Sequence, residues 1–147
     1  MFKYQFVFFC FMLQQIVLRD LQKPKVVNLD DDIAWLGDSF GFVSGRDIER
    51  ITIRILQSVL KEVASCGSVS SDTLSESLNL AVQRVNYHLR TFIDSGFLYR
   101  NKRLIFLRQG SVKSAVEELR KDANRIFDNL SVIAEEIDKR LGIKNRD

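Results

Sequence analysis

Arg84-Val85-Asn86-Tyr87-His88-Leu89-Arg90-Thr91-Phe92-Ile93-Asp94-Ser95-Gly96-Phe97-Leu98 is the stretch whose reading decides the fold. Val82, Val85, Leu89, Phe92 and Ile93 recur at helical spacing and predict a helix from about Ala81 to Asp94 with one apolar face. Gly96 stands where a helix ends in a left-handed residue. Two strand-prone runs follow, Phe97-Leu98-Tyr99 and Leu104-Ile105-Phe106-Leu107, joined by Arg100-Asn101-Lys102-Arg103. Asn101 is expected to supply the left-handed conformation of the turn. The predicted order is helix, C-cap, strand, turn, strand.

The charge of this region is lopsided. From Asn79 to Arg108 there are six cations (Arg84, Arg90, Arg100, Lys102, Arg103, Arg108) and one anion, Asp94. The whole chain has a net charge of +3. Residues 1–45 hold four cations and five anions, residues 46–108 ten and six, and residues 109–147 eight of each, so the excess sits in the middle third. A cationic helix and hairpin on a small domain suit a polyanion, although charged strand edges also prevent aggregation.

Upstream, Ser44 or Gly45 is expected to open a helix, with Ser44 and Asp47 approximating a capping box. Ile48, Ile51, Ile55, Leu56, Val59, Leu60 and Val63 form its core stripe, and Cys66-Gly67 ends it. Arg46, Arg50 and Arg54 repeat on another face, as a solvated set or as phosphate contacts. Ser68-Val69-Ser70 is a minor strand. Ser71-Asp72 is expected to cap a helix from Thr73 to Leu78, and Asn79-Leu80 to turn the chain. Downstream, Ser111 caps a long helix to about Leu141. Its residues Val112, Val116, Leu119, Ala123, Ile126, Leu130, Ile133 and Ile137 alternate at four and three, a heptad seam, widened by Phe127 and Ala134, that predicts dimerisation through a bundle or packed dimer rather than a bare two-stranded coiled coil.

Residues 19–45 read as an irregular lead-in, with Asp30-Asp31-Asp32 capping a short helix from Ile33 to Leu36 and with Trp35, Phe40 and Phe42 packed on the domain. Residues 1–18 are apolar and rich in phenylalanine. A membrane span is disfavoured by their shortness and by Gln5, Gln14 and Gln15, and a signal peptide by the lack of a small-residue cleavage site. The expectation is a poorly structured extension, or a start placed ahead of Met12, against a packed or partner-binding segment. Two cysteines without CxxC spacing and one histidine offer no metal site and no disulfide framework, which fits a cytoplasmic protein. No cofactor motif and no nucleophile–base pair is present, so no enzyme is expected.

Helix, short strand, helix, turn, helix and two-stranded hairpin make a winged helix-turn-helix. The fold expected is mainly α with a small β-hairpin wing (α+β), followed by a long C-terminal helix: domain 46–108, dimerisation helix 111–141. Arg84-Val85-Asn86-Tyr87-His88-Leu89-Arg90 with Gly96-Phe97-Leu98 resembles the "V-S-Y-H-L … G-L-V" pattern of the ArsR-like winged-helix regulators, a family frequent in prokaryotes, archaea included. Asn86 replaces the usual serine, and the family's metal-sensing cysteines are absent. The resemblance implies a dimeric regulator of double-stranded DNA at the nucleoid; it names no effector. With the third helix in the major groove, Gln83, Arg84, Asn86 and Tyr87 are expected to approach bases, and Arg90, Thr91, Lys102 and Arg103 to meet phosphates. His88 is expected to pack on the preceding helix or to cap a carbonyl. The alternative is a winged helix used as a protein-interaction module within a larger transcription or replication assembly.

Overall fold

The computed structural model describes residues 13–43 and 50–146. Among the described residues there are five α-helices, α1 (Leu29–Ser39), α2 (Ile51–Cys66), α3 (Ser71–Leu78), α4 (Val82–Ser95) and α5 (Val112–Leu141), and three strands, β1 (Val69–Ser70), β2 (Leu98–Asn101) and β3 (Leu104–Leu107). This is the expected winged helix plus long C-terminal helix. No helix among the described residues is long and apolar enough to cross a membrane.

Helix α1 corrects the lead-in. It spans 11 residues, more than the short 33–36 helix, and its cap is Asn28, whose side chain accepts from the backbone N–H groups of Asp30 and Asp31. The three aspartates occupy the first turn, where the helix dipole favours anions. Gly37 lets α1 approach α2 closely: a Cβ there would lie 2.6 Å from Ile53 Cδ1. Helix α2 is described from Ile51, not from Ser44 or Gly45, and Arg50 before it is left-handed at φ 56°. The Ser44–Asp47 capping box, Arg46 and Ile48 lie outside the described residues.

The sheet order is β1-β3-β2, all antiparallel. Asn101 pairs with Leu104, which leaves a two-residue turn at Lys102-Arg103. The left-handed residue is therefore Lys102 at φ 59°, not Asn101, because a two-residue hairpin needs positive φ at its first central position. Ser70, one residue before the expected cap, closes the N-terminus of α3 by accepting from Thr73 N at 3.1 Å. Ser70→Ala should destabilise the domain by about 1 kcal/mol, seen as a lower urea midpoint with an unchanged slope.

Helix α5 has 30 residues, starts at the Ser111 cap and stops at the left-handed Gly142. Its first turns join the core through Ala115 and Leu119, 0% and 2% exposed. The core centre is aromatic. Phe42 sits edge-on to Phe92 at 5.0 Å, and Phe97 lies 5.9 Å from Phe42.

The expectation of a loose extension fails for residues 13–18. Ile16 packs against the core, Gln15 N donates to Asp94 O at 3.3 Å, and Gln14 Nε2 donates to Ser95 O at 3.1 Å. This strap crosses the C-terminal end of α4, and its glutamine amides satisfy carbonyls that the helix leaves open there. Residues 1–12 lie outside the described residues.

Candidate nucleic-acid interface

Val85, Leu89 and Phe92 are fully buried, so α4 has one fixed rotation about its axis. That rotation exposes Gln83, Arg84, Tyr87, Arg90 and Thr91 together, with Tyr87 at 66%. The N-terminal end of α4 holds Gln83 and Arg84, the end that a recognition helix turns to base edges. Lys102 and Arg103 are exposed at the wing tip.

The cations of α5 and those of α4 and the wing tip differ in their pairing. On α5, Arg120, Lys121, Arg125, Lys139 and Arg140 all pair with carboxylates on their own helix. Arg84, Arg90, Lys102 and Arg103 make no ion pair among the described residues. Positive charge left uncompensated on one helix face and one hairpin tip creates a local positive potential.

Other cations are already engaged. Arg50, still about half exposed, forms a two-point pair with Asp38, at 3.1 and 2.9 Å, so its charge is already compensated. Arg54 is exposed. Arg108, counted in the basic excess, is held by Asp122 and lies 3.7 Å from Glu118.

Asn86 is already engaged inside the domain. It is half-buried, and its Oδ1 accepts from Ser71 Oγ at 2.6 Å and from Arg100 Nη2 at 3.2 Å. A bidentate adenine contact needs that oxygen as well as the amide N–H. In this structure Asn86 ties α3, α4 and the wing together, fixing the wing relative to the helix, and Arg100 is drawn to the same node. The His88 Nδ1 lies 2.8 Å from Thr52 Oγ1 on α2, a contact that its expected packing on the preceding helix did not include. The Tyr87 ring meets the His88 ring edge-on at 5.2 Å, which orients an otherwise exposed tyrosine.

The heptad seam divides into two parts. Leu119 is buried in the domain's own core and Val116 packs against it, so Leu119 is not available to a partner helix. Val112 is only 36% exposed, and Ala123 and Ile126 are intermediate. Leu130, Ile133 and Ile137 are 58%, 61% and 51% exposed among the described residues, beside an equally open Phe127. The heptad pattern could not separate the two parts, because both obey the same spacing.

One node escaped the sequence reading entirely. Asp122, 6% exposed, accepts from Gln14 Nε2 at 2.8 Å, from Arg125 Nη1 at 3.2 Å and from Arg108. Burial works against its charged form. The hydrogen bonds from Arg108, Gln14 and Arg125 and the Arg108 charge outweigh that, and hold its carboxyl below the ordinary aspartate range. Strap, wing base and α5 meet here.

Residues 49–99 match the family model described as winged helix-turn-helix DNA-binding. The match runs from just before α2 into β2 and contains all of α4. No curated protein and no solved structure matches the chain.

Proposed function

We propose that the chain is a sequence-specific, dimeric transcriptional regulator of the ArsR-like kind, with α4 in the major groove and the wing on the sugar-phosphate backbone. The observation that carries this reading is the set of uncompensated cations, Arg84 and Arg90 on α4 within the matched DNA-binding segment and Lys102 and Arg103 at the wing tip just beyond it. Arg84 and Gln83 read bases, with Tyr87 beside them. Arg90, Thr91, Lys102 and Arg103 neutralise or hydrogen-bond phosphates. Asn86 acts through the wing, as the residue that positions it. The Tyr87-His88-Leu89 run with Gly96 supports the family assignment.

The test is a salt series of binding to mixed duplex DNA, parent against Lys102→Ala/Arg103→Ala. Each lost phosphate contact flattens the slope of log K against log salt by about 0.9, so the variant should be shallower by about two units. A folded parent that binds no duplex at low salt would sink the reading and favour a protein partner.

The dimer rests on the distal half of α5, where Leu130, Ile133 and Ile137 form an apolar stripe. Pairing of two such stripes would space two recognition helices for half-sites about one DNA turn apart. Leu130→Glu/Ile137→Glu should turn a sedimenting dimer into a monomer without changing the helical content of the domain. Unchanged sedimentation would reject this helix as the dimer element.

A further inference from the structure

We propose that the cavity between α1 and α2 is a binding site for an uncharged, apolar or aromatic small molecule. The cavity has a volume of about 650 Å³, within the ~300–1,000 Å³ range of ligand pockets. Ile33, Trp35 and Leu36 of α1, Leu60 and Ala64 of α2, and Val112 at the start of α5 form its walls.

The chemistry of those walls selects the ligand. The charged residues that border the cavity, Lys23, Lys61 and Asp32, are all exposed, and Lys61 Nζ is held 2.9 Å from Asp30 Oδ1. Trp35 Nε1 donates to Leu21 O at 3.3 Å, which leaves the indole with no free polar group to offer. Among the described residues no buried side-chain polar atom lacks a hydrogen-bond partner. A polar group carried past that charged rim onto the apolar walls would therefore find no side-chain counterpart there and would lose its water. An apolar body is favoured by the same walls, through burial and through contact with the indole ring.

A second copy of the chain is the weaker occupant. The exposed stripe of α5 begins at Phe127, which is 15 residues or about 22 Å along the helix from the cavity wall at Val112. The cavity is thus a separate concavity, walled by several chain segments, and not an extension of that stripe. Its walls join α1 and α2 to the first residue of α5, so an occupant would touch both the domain and the helix leading away from it.

Trp35 is the chain's only tryptophan, which makes the site report on itself. The full chain is titrated with N-phenylnaphthylamine, exciting the indole and reading emission of the probe, with no DNA present, so the outcome is independent of the DNA reading. The expected result is saturable energy transfer from Trp35, reversed by dodecanol. Ala64→Phe, at an exposed wall position, should weaken the probe at least tenfold with unchanged circular dichroism. Ala64→Leu, with a smaller plug, should weaken it less. No saturable transfer, or transfer equal in both variants, overturns the proposal. So does transfer lost in Leu130→Glu/Ile137→Glu, because the probe would then be reporting the α5 stripe or a second copy.

Discussion

Phe92→Ala should destabilise the protein by about 3–5 kcal/mol, the range for removing a large aromatic from a packed core. Phe92 is fully buried and its ring is edge-on to Phe42, so the substitution removes both apolar burial and an aromatic pair. A domain of this size has only about 5–15 kcal/mol in hand, so much of its margin disappears. The effect is wider than stability. Phe92 sets the rotation of α4 together with Val85 and Leu89, and the same rotation presents Arg84, Tyr87 and Arg90. Urea unfolding should show a lower midpoint at a similar slope, and duplex affinity should fall even where the variant remains folded. A loss under about 1 kcal/mol would mean that the site relaxes around the missing ring and that the aromatic cluster is not the anchor of α4.

Asp122→Ala should cost about 3 kcal/mol, the low end for breaking a buried ion pair by removing one partner. The low end applies because Arg108, left behind, keeps 27% of its side-chain exposure and retains Glu118 at 3.7 Å. The pH dependence gives a second reading of the same group. The folded-state pKa of Asp122 is below its unfolded value, so the native state binds fewer protons there. Its contribution is complete above the ordinary aspartate pKa of about 3.9 and is lost as pH falls through the lower folded value. The parent should therefore lose stability on acidification in that window, and the variant should show a flatter acid limb. Parallel acid limbs in the two proteins would contradict the assignment of Asp122 as the charged centre of the node.

Elements that rest on contacts between near neighbours were legible from the chain. The Ser111 cap, the seam spacing and Gly142 bound α5, and the left-handed Gly67 and Gly96 end α2 and α4. The hairpin was legible in the two apolar runs, but its turn position was not. Register slides by one residue at little local cost, and pairing along β3 decided that Lys102 rather than Asn101 turns. The lead-in hid α1 because its cap is an asparagine two residues before the acidic run, which drew attention to itself.

In the site, most of the exposed face of α4 followed from periodicity alone: bury Val85, Leu89 and Phe92, and Gln83, Arg84, Asn86, Tyr87, Arg90 and Thr91 fall on or near the open face, where all but the half-buried Asn86 are exposed. Which polar groups, on that face or beyond it, are already engaged did not follow. The Asn86 oxygen is taken by Ser71 and Arg100, Arg50 by Asp38, and Arg108 by Asp122. The two halves of the α5 seam look alike in sequence and differ only in whether the domain lies against them.

By itself, the sequence determined the extents of α4 and α5, which faces are apolar, and that positive charge gathers on one helix and one hairpin. Those properties depend on residues within a turn or a strand pair of each other. Tertiary structure alone decided which cations stay uncompensated, that the Gln14 strap closes on Asp122 across 108 residues, and that α1, α2 and the start of α5 wall an open cavity. Each depends on groups brought together only when the core closes, and no local spacing encodes that distance.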